Sequence, residues 1–241
     1  MHQRRIVFVI FDRFQSLDLT GPLEVFSCAG RVTGGYCCQI VAPCPGPVRA
    51  GSGLVVHAGY GVAGLDSSGI DTLVVTGGGG VDQARHDPAL TRWIAAAGAG
   101  ARRVTSVCTG VFLLAAAGLV AGHTVTTHWE YAERLSQQYP GLTVDCDPIF
   151  IQDGRVWTSA GVTAGMDLAL ALVEDDLGRD VAHEVAQNMV CSCAGRAASR
   201  SSACRCGRSS RGPTRSARCS RRSTPILVPG TASPTWPGTP G

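Results

Sequence analysis

Apolar residues in this chain come in short unbroken runs, separated by glycine-rich turns and by stretches with helical spacing. Arg5–Phe11 is the first such run, of the kind a parallel sheet buries on both faces. Tyr36–Ala42, Asp71–Val75 and Val104–Val107 repeat it, and shorter strands are expected at Leu54–His57, Thr124–Thr127, Leu142–Val144 and Val156–Thr158. Between them lie helices. A loop over Asp12–Asp18 leads into one that runs from Thr20 to Ala29, with Thr20 as N-cap and Pro22 in the first turn. Pro88–Ala97 is capped by Asp87, a short apolar helix follows Cys108, Trp129–Tyr139 is another, and one long helix extends from about Thr163 to Met189. The alternation predicts an α/β fold with a doubly wound, mostly parallel sheet, in which ligands bind at the C-terminal ends of strands. Cys108, Gly77–Gly80 and the Asp18 loop each follow a strand end and are expected to converge on one edge.

Composition divides the chain. Residues 1–190 carry 12 arginines and all 18 acidic residues, a net of −6, whereas residues 191–241 carry nine arginines and no acid, so the overall net charge of +3 describes neither part. The first part is long enough for one globular domain with a sizeable core. The second is rich in Arg, Ser, Gly, Pro and Cys, with too few large apolar side chains to offset its chain entropy, and disorder is the expectation. Arg4 and Arg5 precede too short an apolar run for a secretion signal, and Val111–Ala121 is far below the ~18–20 residues that span a bilayer. The cytoplasm is therefore the expected compartment, with Cys28, Cys37, Cys38, Cys44, Cys108 and Cys146 as reduced thiols.

Val104–Gly118, V-T-S-V-C-T-G-V-F-L-L-A-A-A-G, holds the densest chemistry. A β-branched run stops at Cys108, and Thr109 with Gly110 turns the chain into an apolar helix. This is the layout of a nucleophile elbow, with a thiol on a tight bend at a helix start whose dipole favours a thiolate. The alternative is a small cysteine buried between a core strand and a core helix. Gly77–Gly80 offers a similar choice. The chain contains no lysine and the run lacks the Gly-x-Gly-x-x-Gly order, which excludes a Walker-type phosphate loop. Gly77, Gly78 and Gly79 either present N–H groups opposite the thiol for an oxyanion or form a plain tight turn.

L-D-L-T-G-P-L-E-V-F (Leu17–Phe26), V-V-T-G-G-G-G (Val74–Gly80), S-V-C-T-G-V-F-L-L-A-A-A-G-L (Ser106–Leu119), T-T-H-W (Thr126–Trp129) and W-T-S-A-G-V-T-A-G-M-D-L-A-L (Trp157–Leu170) together resemble the PfpI/ThiJ superfamily over about residues 4–190. The resemblance implies a class I glutamine amidotransferase-like, flavodoxin-like α/β fold. Within it, the strings are most similar to the sensor domains of AraC-type (GlxA/FtrA-like) transcription regulators and to isonitrile hydratases. It implies Cys108 as the elbow nucleophile, Asp18 as the acid beside it and Thr109 as the threonine next to it. Water addition to R–N≡C needs a nucleophile at carbon and a proton donor to the same centre, and a thiolate with a carboxyl supplies both. The two groups titrate as a pair: a charged Asp18 disfavours the thiolate, a protonated one donates to it. Alternatively Asp18 is a loop acid capping the next helix. Glu24 either approaches the thiol or faces solvent. His128 either reaches Cys108 as a base or stays outside the pocket, and Trp129 reads as helix-start packing. Proteases of this superfamily carry a histidine directly after the cysteine, and Thr109 takes that place here. A homodimer is expected by resemblance.

An AraC-type regulator continues beyond Val185–Val190 with a linker and two helix-turn-helix units, whereas this chain reads C-S-C-A-G-R-A-A-S-R. With GC-rich codons and one base restored after the valine codon, Val190–Gly207 re-reads as V-V-F-L-R-R-P-G-G-Q-S-Q-F-S-V-P-L-R, a string that resembles that linker. Residues 191–241 are thus expected to be out of frame, in place of the DNA-binding half. Zinc at Cys191, Cys193, Cys204 and Cys206 is disfavoured by the single-residue spacing, and nine arginines could hold nucleic acid only non-specifically. The expected function of residues 1–190 is to sense a small metabolite or electrophile at Cys108. No cofactor, metal or membrane is involved, and DNA is reached only through a helix-turn-helix domain missing from this chain. The alternatives are a hydro-lyase of the isonitrile hydratase kind and a glyoxalase- or deglycase-like thiol enzyme.

Overall fold

The unbroken apolar runs become neighbours in one sheet because each must be covered on both faces. In the computed structural model, which describes residues 3–189, the elements run in this order. The first half holds β1 (Arg4–Val9), α1 (Ser16–Thr33), β2 (Tyr36–Ala42), β3 (Gly46–Arg49), β4 (Val55–Ala58), β5 (Tyr60–Gly61), β6 (Thr72–Val75), α2 (Val81–Ala84) and α3 (Pro88–Gly100). After β7 (Arg103–Val107) come a 3₁₀ turn over Cys108–Gly110, α4 (Val111–Ala116), β8 (Thr124–Val125), a second 3₁₀ turn over Trp129–Tyr131 and α5 (Ala132–Gln138). The last are β9 (Thr143–Val144), β10 (Phe150–Asp153), β11 (Val156–Ser159), α6 (Ala164–Leu177) and α7 (Arg179–Asn188). The readings made for residues 191–241 lie outside the described residues.

The main sheet has seven strands in the order β10-β11-β7-β6-β1-β2-β5, parallel throughout except for β10 against β11. From β1 the chain crosses to β2 on one side; from β6 it crosses to β7 on the other. Such crossovers are right-handed, so α1 and α3 cover opposite faces. The winding reverses between β1 and β6, and there the C-terminal strand ends open the crevice where doubly wound sheets bind ligands.

Several features differ from the sequence expectation, among them that β8 and β9 pair in a separate two-stranded sheet. α1 starts at Ser16, so Asp18 lies in its first turn and not in a loop. Thr20 is no cap; its hydroxyl donates back to Ser16 O at 3.0 Å. The start is set from outside the helix, since the Gln15 N–H donates to Gly77 O at 2.8 Å. The long C-terminal helix is two, broken at Gly178 (φ 87°, ψ 168°). Strands β3 and β4 form an antiparallel hairpin apart from the main sheet. The edge strand β10, absent from the expectation, pairs with β11 from Phe150 opposite Ser159 to Asp153 opposite Val156.

Candidate active site

Three strand ends feed the crevice. After β1 the chain reaches the first turn of α1 with Asp18, after β6 it enters Gly77–Gly80, and after β7 it enters the Cys108 turn. An isolated antiparallel bridge between Phe14 and Gly78 ties the first loop to the second.

Asp18 is fully buried. Its Oδ2 accepts the Gly77 N–H at 3.0 Å and its Oδ1 accepts the Val162 N–H at 3.0 Å. The Cys108 thiol donates to the same carboxylate. Burial pushes the Asp18 carboxyl up from 3.8 to about 6, against the lowering effect of the Val162, Gly77 and Cys108 hydrogen bonds. Cys108 is 7% exposed and sits at φ 57°. A non-glycine residue held in the left-handed region costs about 1–3 kcal/mol and marks a site the surrounding structure over-determines. Burial, then the Asp18 charge, push the thiol up to about 12, while the Thr109 N–H and hydroxyl act in the opposite sense. The helix-depressed thiolate expected from the elbow is therefore not what the fold builds. Helix α4 is only six residues long, and desolvation outweighs its dipole. At neutral pH the pair holds one proton, on sulfur, with a carboxylate poised to take it.

Thr109 Oγ1 accepts the Gly78 N–H at 2.9 Å. The Gly77 and Gly78 amides, read as either oxyanion donors or parts of a tight turn, are thus already engaged, one orienting Asp18 and the other Thr109. Gly79 is exposed. A Cβ on Gly77 would lie 2.5 Å from the Thr109 nitrogen and 2.9 Å from Cys108 Cβ, so only glycine lets this loop approach the thiol. Glu24 is exposed and so takes the solvent-facing alternative. His128 makes no hydrogen bond to Cys108. Its ring lies against Trp129 and Tyr131, with centroids 5.5 and 6.0 Å away, and its Nδ1 is buried without a partner. Trp129, read as packing, is 46% exposed.

Sequence reasoning assigned no role to three residues that touch the site. The Thr127 hydroxyl donates to Cys108 O at 2.9 Å and pins the elbow. Gly161 (φ 99°) presses on the cysteine: a Cβ there would be 2.3 Å from Cys108 Cβ and 2.9 Å from Sγ. Val162 supplies the second amide to Asp18 from a left-handed backbone, φ 55°. All three lie in strings quoted above, but contacts so distant in sequence leave no local signal. Among the described residues no three His, Cys, Asp or Glu side chains gather as a metal site, and no helix is long and apolar enough to cross a membrane.

The chain is similar to the isonitrile hydratase of Pseudomonas putida, with 35% identity over 184 residues and 75% of each chain covered. It is also similar to the HTH-type transcriptional regulator GlxA of Rhizobium meliloti (strain 1021), 32% identical over 187 residues, which cover 76% of this chain and 56% of the regulator. The chain thus spans little more than half the length of that regulator. Among solved structures, a THiJ/PfpI family protein from Pseudomonas syringae superposes with a TM-score of 0.72 at 27% identity, covering 79% of this chain and 76% of the other. The model of the DJ-1/PfpI family matches residues 4–175, and with the buried thiol on its elbow beside the Asp18 carboxylate the chain belongs to that family.

Proposed function

We propose that residues 1–190 are a sensing domain of the AraC-regulator type, in which a small electrophile or metabolite engages Cys108. The observation that carries this reading is the Asp18 carboxylate, which holds the Cys108 thiol and at the same time the Val162 amide just before α6. A chemical event at sulfur is thereby wired to a helix, which a sensor needs and a plain catalyst does not. In the reaction step the thiol proton passes to Asp18 as sulfur bonds to the electrophilic carbon. Relatives named as HTH-type regulators support the reading.

A second reading, isonitrile hydration, is favoured by the same shared proton. Sulfur adds to the terminal carbon of R–N≡C, the Asp18 carboxylic acid delivers a proton, and water then displaces sulfur to leave R–NH–CHO. Incubation with an alkyl isonitrile separates the two. The sensing reading predicts at most one adduct or formamide per chain. Continuous formamide production, lost in Cys108→Ala and in Asp18→Ala, would replace it by the hydratase reading.

A further inference from the structure

The Gly77–Gly80 loop touches the elbow cysteine at one end and an arginine at the other, and that arginine plays no part in the chemistry of Cys108 and Asp18. We propose that Arg13 is the anion-binding residue of this crevice and that the electrophile engaged by Cys108 carries a carboxylate. This deepens the reading of Cys108 as the group that meets an electrophile and rests on it.

Position comes first. Gly77 packs on the cysteine, since a Cβ there would be 2.9 Å from Cys108 Cβ, and Gly79 packs on Arg13, since a Cβ there would be 3.5 Å from the guanidinium Nη2. Two residues of chain separate the contacts, at most about 7 Å between Cα atoms. The guanidinium thus stands at the rim of the crevice, within reach of the far end of a small molecule whose near end meets sulfur.

Arg13 is held there in a strained conformation. Its φ is 59°, in the left-handed region that costs a non-glycine residue about 1–3 kcal/mol and that glycine takes freely. Both flanking segments fix it: the Arg13 N–H donates to Arg49 O, at the end of β3, at 2.7 Å, and the Gly80 N–H donates to Arg13 O at 3.3 Å. A Cβ on Gly78 would lie 2.6 Å from Arg13 O, so the glycine loop follows the arginine backbone closely. The side chain is left free. Among the described residues the exposed Arg13 guanidinium makes no hydrogen bond or ion pair, whereas Arg85, Arg102, Arg103 and Arg134 each meet an acid. Neighbouring Arg49 is anchored, its Nη1 donating to Gly53 O at 3.3 Å.

The anion that fits is a carboxylate. One guanidinium presents a fork of parallel N–H donors that matches its two oxygens. A phosphate needs further donors from the loop, and the amides of Gly77, Gly78 and Gly80 are taken by Asp18, Thr109 and Arg13 O. The spacing sets the size, with about three to five bonds between the carboxylate and the carbon that meets sulfur. Without Arg13 such a ligand would approach the Asp18 carboxylate in a region, residues 1–190, whose net charge is −6.

Two reagents of one shape provide the test: N-iodoacetylglycine, whose carboxylate lies four bonds from the reacting carbon, and its neutral amide. With either, carbon bonds to sulfur, iodide leaves with the electron pair of the carbon–iodine bond, and the thiol proton passes to Asp18. Alkylation of Cys108 and of the exposed Cys37 in the same full chain is timed by peptide mass spectrometry. The ratio of anionic to neutral rate should be at least about fivefold higher at Cys108 than at Cys37, the range an accessible ion pair supports. In Arg13→Gly, which suits φ 59°, the ratio at Cys108 should fall to that at Cys37 or below, with a Tm within a few degrees of the wild type; a larger loss of Tm would mark Arg13 as structural and overturn the proposal. Equal ratios at the two cysteines of the wild type, an undiminished ratio in Arg13→Gly, or reaction of Cys108 with iodoacetamide but with neither longer reagent would overturn the role of Arg13 and leave the reading of Cys108 standing. Failure of Cys108 to react with all three reagents would overturn that reading, and the role of Arg13 with it.

Discussion

An aspartic acid that titrates near 3.8 when exposed and about 6 in the folded chain binds its proton more tightly folded than unfolded. The sign follows from linkage: the contribution of Asp18 to stability is fully present below about pH 4 and is lost as pH rises through the folded value. A shift of this size corresponds to about 3 kcal/mol. Asp18→Asn has no proton to lose, so the difference in urea-unfolding free energy between wild type and variant should change by about this amount between roughly pH 4 and pH 7. Parallel pH profiles for the two chains would show that Asp18 is not buried as described. The same residue explains the unreactive resting thiol. Burial and a neighbouring carboxylate both hold the proton on Cys108, and the carboxylate that suppresses the thiolate is the base that can remove its proton. Cys108 was legible as a candidate because an elbow cysteine stands out in the sequence, and Asp18 because the family resemblance implies an acid beside that cysteine. The engagement of Gly77 and Gly78 was not, since nothing local shows which acceptor an amide will find.

Elements are held at the pole opposite the site by a buried ion cluster. Asp176, near the end of α6, receives the Arg103 guanidinium, Arg102 at 2.6 Å, Arg4 at 3.4 Å and the Tyr36 hydroxyl at 2.9 Å. Its side chain is fully buried and that of Arg103 is 4% exposed. Removing one partner strands a buried charge, so Asp176→Ala should cost about 3 kcal/mol or more in urea-unfolding free energy; a loss below about 1 kcal/mol would place the pair in solvent. This cluster, with one end of β1, β2 and β7 gathered on α6, leaves the C-terminal strand ends free to form the crevice. The mostly parallel sheet was foreseeable from the buried apolar runs, because a parallel sheet covered on both faces accommodates them; its strand order was not. The start of α1 was not, since a bond from Gln15 to Gly77 decides it in place of a capping side chain. Nor was the break at Gly178, because the apolar spacing continues through it while the backbone does not.

At the scale of the molecule, one DJ-1/PfpI domain has relatives named as regulators and a relative named as a hydratase, and the sensing and hydratase readings proposed above share a first step at Cys108. Burial, the Asp18 contact, the strained elbow and the Gly161–Val162 turn all bear on how the thiol gives up its proton. The pH dependence of Cys108 alkylation by iodoacetamide, read by peptide mass spectrometry, tests that step most directly. With Asp18 as base, the rate should rise through about pH 6 and then stay level through pH ~9. In Asp18→Asn the plateau should vanish and the rate should climb with hydroxide throughout. A single rise near pH ~8.5, the value of a free thiol, the same in both chains, would contradict the shared-proton site.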